Sequence, residues 1–136
     1  MRAPVIVRLE RFRKLMEQVT FESSNGSTII VEGQRDRESL RSMGITGPIR
    51  CLQSSRTNAV GFADNLVGVS RVVVLTDFDR EGVSLAKKLA RSLSAHGLHV
   101  NLVLWRSLRE LTRSEVRSIQ ELPKYSERLQ RESYKT

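Results

Sequence analysis

A chain of 136 residues, 39% hydrophobic and 28% charged, has a globular balance and room for one core, so residues 1–136 are expected to form a single domain. The formal net charge is +8 and the longest apolar runs, 72–75 and 102–105, are four residues, which excludes a membrane-spanning helix. The first residues lack a secretory leader and a lone Cys51 excludes both an internal disulfide and a cysteine-based zinc site, so a reduced, cytoplasmic protein is expected.

Residues 7–20 place Leu9, Phe12, Leu15, Met16 and Val19 at spacings of three and four, the pattern of an amphipathic helix with a basic outer face. A Ser/Asn/Gly break at 23–27 precedes TIIV (28–31), too short for a helix and β-branched throughout, hence a strand. A short helix is expected over 36–43, stopped by Gly44, then a turn at Gly47-Pro48 and a weaker strand over 49–52. After a polar loop at 54–58, residues 59–66 predict another short helix. Residues 71–76 carry the clearest buried strand, VVVL, and run at once into Asp77-Phe78-Asp79-Arg80-Glu81-Gly82. Val83, Ala86, Leu89, Ala90 and Leu93 mark a helix over 83–96, and residues 100–105 read as a fourth strand. Thr112-Arg113-Ser114-Glu115 has capping-box spacing before a helix that runs toward Leu122 and stops at Pro123, with 124–136 a fraying polar tail.

Strands alternating with helices predict an α/β fold: a compact four-stranded, mainly parallel sheet with helices on both faces, plus N- and C-terminal helices. Such sheets bind ligands at the carboxyl ends of their strands. Glu32 stands there after TIIV, and Asp77-x-Asp79-x-Glu81 after VVVL. In extended chain Asp77 and Asp79 point to one side, and if the two strands are neighbours Glu32 faces that pair. A single Asp after a strand is ordinarily a helix cap, but a cap explains one acid and not four. Four carboxylates in one crevice repel one another, and a hard oxygen-seeking cation, Mg2+ or Mn2+, offsets that. Gly82 is expected to let a phosphate or metal approach bare backbone. Asp77, at a strand end, is expected to have no helix amide in reach, whereas Glu81 also reads as a first-turn acid.

TIIVEG (28–33) followed by VVVLTDFDREG (72–82) resembles the paired signature of the Toprim domain, found in type IA and type II topoisomerases, bacterial primases, OLD-type nucleases and ribosomal-RNA-maturing ribonucleases. The resemblance covers residues 26–105. It implies magnesium-dependent phosphoryl chemistry at Glu32, Asp77 and Asp79. Glu81 matches the third acid of the topoisomerase-like DxDxE form, and Asp36 the additional acid of the primase and ribonuclease form. Length and the basic N-terminal helix look most like the small stand-alone Toprim proteins known chiefly from archaea. Topoisomerases carry their tyrosine nucleophile in large extra domains, whereas Tyr125 and Tyr134 lie in the expected tail, so topoisomerase activity is not expected of this chain alone. A haloacid-dehalogenase-type phosphatase also places DxD after a strand, but near the start of its fold and with acids on later strands; here one strand follows.

The expected function is a magnesium-dependent nuclease, or related phosphodiester-processing protein, acting on RNA or DNA. The alternative is a nucleic-acid- or ribonucleoprotein-binding module that works with a partner. Arg35, Arg56 and Arg80 are the nearest phosphate-binding candidates. The first twenty residues hold five basic and two acidic residues, and 106–136 eight and five, so the ends supply sequence-independent affinity for nucleic acid. Lys87, Lys88 and Arg91 read as a solvated helix face, His96 and His99 as surface residues away from the acids, and Cys51 as core. With seven aromatics in the chain, charge rather than base stacking is expected to carry affinity. An exposed apolar face on the N-terminal helix would make it an assembly surface for a homodimer or a protein partner; a buried one would let the chain stand alone.

Overall fold

The computed structural model describes residues 2–54 and 59–135. Four strands, β1 (Thr28–Val31), β2 (Ile49–Cys51), β3 (Arg71–Val74) and β4 (His99–Asn101), form one sheet in the order β2-β1-β3-β4. Every pairing is parallel, with Ile29 beside both Ile49 and Val73, and Val73 beside Asn101. The inner strands are buried almost throughout, which is why they read as unbroken β-branched runs; edge strands β2 and β4 are partly solvated.

The helices are α1 (Val5–Ser24), α2 (Gln34–Ser42), α3 (Ala59–Phe62), α4 (Arg80–Ala95), α5 (Val103–Thr112) and α6 (Leu122–Ser133). α2 links β1 to β2 and α4 links β3 to β4, so the chain winds outward in opposite directions from the central pair. α1 packs on α5 and α6, α2 also touches α6, and α3 packs on α4, giving the two covered faces that the sequence predicts. The apolar face of α1 is buried in this layer through Leu9, Phe12, Met16 and Val19, with the Phe12 and Tyr125 rings edge to face at 5.4 Å. Leu15, the fifth residue of the stripe, is half-buried. Ile6 and Phe21 are its exposed large apolar side chains.

Two segments differ from the sequence reading. The expected strand over 100–105 ends at Asn101, and Val103-Leu104-Trp105 opens α5. Asn101 Oδ1 accepts the Val103 and Leu104 N–H groups at 2.9 and 3.4 Å, and Leu104, Leu108 and Thr112 fall on one buried helical face. A four-residue apolar run fits a strand or a buried helical turn, and the side-chain amide decides here.

The C-terminal part differs more. Residues 113–115 and 119–121 are 3-10 turns, and the working capping box is Ser118–Glu121, whose Glu121 Oε2 accepts the Ser118 N–H and Oγ–H at 2.8 Å each. Pro123 starts α6 rather than stopping a helix, because proline needs no donor in a first turn. The expected frayed tail is therefore helical, with Leu122, Tyr125 and Leu129 buried at spacings of three and four.

Candidate metal centre

β1 and β3 lie side by side, so Glu32 and Asp77 leave the sheet together at its carboxyl edge. The Asp77 N–H donates to Glu32 Oε2 at 2.7 Å. The next turn is fixed by buried bonds. Thr76 Oγ donates to Gly82 O and Trp105 Nε1 donates to Thr76 O, each at 2.8 Å, and the Phe78 N–H donates to Arg117 O at 2.7 Å. Asp79 caps α4, its Oδ1 accepting the Gly82 N–H at 2.8 Å. Gly82 has a different role from the expected one: a Cβ there would stand 2.0 Å from the Asp77 carbonyl oxygen, so glycine lets α4 start hard against the strand end.

Asp77 does receive an amide, contrary to expectation. Its Oδ1 accepts the Ile119 N–H at 3.2 Å, from the 3-10 turn at 119–121. Beside it Gln120 N–H donates to Asp36 Oδ1 at 3.2 Å, while Asp36 Oδ2 accepts the Gly33 N–H at 3.0 Å. Asp36 is 6% exposed and both its oxygens are taken by main chain, so it staples α2 to the C-terminal segment. Nothing in the spacing of residues 119–121 signals this; the turn reaches the acids only through the fold.

The electrostatics follow from crowding. Burial, then the charges of Glu32 and Asp36, push Asp77 up to about 7. Burial raises Glu32 against the opposing Asp77 amide bond, and Asp79 and Asp36 add to the rise. Burial also raises Asp36. Glu81 is exposed in the first turn of α4.

The donor set suits a hard divalent cation. Glu32, Asp77 and Asp79 each keep one carboxylate oxygen that no main-chain amide occupies among the described residues. Among those residues no three acid, His or Cys side chains already converge at ligating distance. Of the expected phosphate-binding residues, Arg80 lines a cavity of about 870 Å³ with Asp79. Arg35 lies on a different surface, beside Gln120 and Lys124. Arg56 lies outside the described residues. His96 is far from the acids and pairs with Asp64 at 3.0 Å.

An all-parallel sheet with acids at its central strand ends, where the winding reverses, defines a doubly wound α/β class whose ligand-binding edge is that one. Residues 27–105 match the Toprim domain model, and the chain belongs to the Toprim domain family. The UPF0292 protein of Methanosarcina acetivorans is 32% identical over 90% of this chain and 84% of its own length. That of Methanocaldococcus jannaschii is 35% identical over 85% and 90%. A solved protein from Aquifex aeolicus shares the fold, with a TM-score of 0.66, 24% identity, and coverage of 80% of this chain and 95% of that one. No helix among the described residues is long and apolar enough to cross a membrane.

Proposed function

We propose that this protein is a magnesium- or manganese-dependent nuclease, or a closely related phosphodiester-processing enzyme, acting on RNA or DNA. One observation carries the reading: the Glu32 carboxyl is hydrogen-bonded to the Asp77 main chain, 45 residues away in sequence, across β1 and β3, with Asp79 two residues further on. Membership of the Toprim family supports metal-dependent nucleic-acid processing as the class. Glu32, Asp77 and Asp79 would hold the metal, with exposed Glu81 as a fourth carboxylate at the mouth. A divalent ion held by these carboxylates would supply Lewis-acid activation of a phosphodiester and of the attacking water. Glu32 keeps one oxygen fixed by the Asp77 N–H, which leaves the other available as ligand or proton acceptor. Asp79 is held the same way by its cap. Arg80, beside Asp79, faces the side from which a phosphate would enter.

A second reading, a nucleic-acid-binding module that needs a partner for turnover, is favoured by the absence of three converged ligands among the described residues. Two measurements separate them. Magnesium or manganese should raise the melting temperature of the parent and not of Asp77→Asn/Asp79→Asn, because only ligand bound to the folded state stabilises it. Equal shifts in both would remove the metal site. Cleavage of structured RNA, single-stranded DNA or duplex DNA should then be metal-dependent and fall by orders of magnitude in Asp77→Asn. Metal binding with no cleavage of any of the three would leave the module.

A further inference from the structure

Beside the acid crevice lies a cavity of about 870 Å³ walled by Arg80, Arg106, Arg109, Arg113 and Arg117. A second cavity, about 670 Å³, runs between α1 and α5 and is lined by Arg8, Arg11 and Lys14. Glu110 and Arg113 line both, so the two cavities adjoin there and, taken together as a channel, extend from Asp79 to the middle of α1. We propose that this channel is the track for the sugar–phosphate backbone of a nucleic-acid strand. The proposal rests on the nucleic-acid reading above and names the surface that serves it.

Three observations carry it. Arg80, Arg106, Arg113, Arg117, Arg11 and Lys14 make no side-chain ion pair or hydrogen bond among the described residues. Six cations without a side-chain partner gathered along one channel repel one another, and a bound polyanion offsets that repulsion. Second, Arg106, Arg109 and Arg113 recur at three- and four-residue spacing, one per turn of about 5.4 Å along α5 and just past its end. A row of that kind suits a chain of phosphates, where a mononucleotide would meet one or two of them. Third, the aromatics beside the channel are turned inward: Phe78 and Trp105 are buried, and the Arg109 guanidinium covers the Trp105 ring at 5.9 Å. With no open ring to stack on, the channel reads backbone rather than bases.

The helix face matters as much as the charge. Arg11 and Lys14 line the channel, whereas Arg13 lines a separate groove with Glu17 and Met43. Lys87 and Lys88 on α4 line neither cavity. Lys87 and Lys88 together supply a charge-matched control, and Arg13 a single-charge control on α1 itself.

The test is fluorescence anisotropy of short labelled single-stranded RNA, single-stranded DNA and duplex DNA with the full chain in EDTA, between about 50 and 200 mM salt. EDTA separates the track from the metal site, whose own test is the metal-dependent melting shift. Arg106→Gln/Arg113→Gln and Arg11→Gln/Lys14→Gln should each weaken binding about tenfold or more. Each should also flatten the log–log salt slope by about 1.4 for single strands or 1.8 for duplex. Arg13→Gln and Lys87→Gln/Lys88→Gln should change affinity less than about twofold. Glu110→Gln removes the acid in the shared wall and should tighten binding. Equal losses in controls and track variants would overturn the proposal, since binding would then follow net charge alone. So would unaltered affinity in both track pairs, or a poly-aspartate peptide binding as tightly as the oligonucleotides, which would make the channel an acidic-protein site.

Discussion

Asp77 is held by opposing demands: its main-chain N–H fixes Glu32, its Oδ1 takes the Ile119 amide, and its charge faces those of Glu32 and Asp36. Its carboxyl is raised from an unfolded value near 3.8 to about 7 in the fold. A raised carboxyl binds its proton more tightly when folded, so its contribution to stability is fully present below pH 3.8 and is lost as pH rises through about 7. Without metal, the parent should lose several degrees of melting temperature across that window, and Asp77→Asn should lose much less. A melting temperature that rises from pH 4 to 7.5 in the parent, by thermal scans in EDTA, would contradict this. Because protons and a divalent cation compete for the same oxygens, metal affinity should climb over the same interval.

At the level of elements, the C-terminal third holds the chain's ends to the sheet. Glu115, in the turn after α5, pairs with Arg2 at 2.8 Å, with Arg128 of α6 at 3.1 Å and with Arg8 of α1 at 3.5 Å. Burial alone would raise its pKa; the Arg2 hydrogen bond and the charges of Arg2, Arg128 and Arg8 outweigh it and hold the carboxyl below 4.5. The stabilisation is therefore present above pH 4.5 and lost as pH falls through the lowered value. Glu115→Gln should cost about 1 kcal/mol at neutral pH, a figure already reduced for the solvent around these side chains. Urea midpoints of parent and variant should converge at low pH. A constant gap would mean that packing rather than charge carries the effect.

Across the whole molecule, like charges are collected on two surfaces, acids at the strand ends and arginines along the α1–α5 channel. Both clusters, and the net charge of +8, oppose folding in the free protein and are screened by salt. Salt should therefore raise the melting temperature of the free protein while weakening nucleic-acid binding. Differential scanning fluorimetry over the salt range of the anisotropy experiment checks the first half; a steady fall would show that attractive pairs such as those of Glu115 dominate instead.

Much of the fold and the acid pair is written in local pattern. TIIV and VVVL are buried on both sides and must be β-branched and apolar throughout, and each ends in an acid because strand ends of a parallel sheet open on solvent. That suffices for the sheet and for the strand ends where Glu32 and Asp77 stand; that the two strands are neighbours, bringing these residues together, is decided by the tertiary structure. Where two structures share one local pattern, only packing decides. Val103-Leu104-Trp105 fits strand or helix, and the Asn101 side chain together with the buried Trp105–Thr76 bond selects the helix. Pro123 can end one helix or begin another, and burial of Tyr125 and Leu129 against α1 selects the beginning. The roles of Asp36 and Gly82 depend on atoms 84 residues away in one case and on a carbonyl across a turn in the other. Likewise, helical spacing separates Arg11 from Arg13, but only the docking of α1 on α5 decides which of them joins the arginines beside the acids.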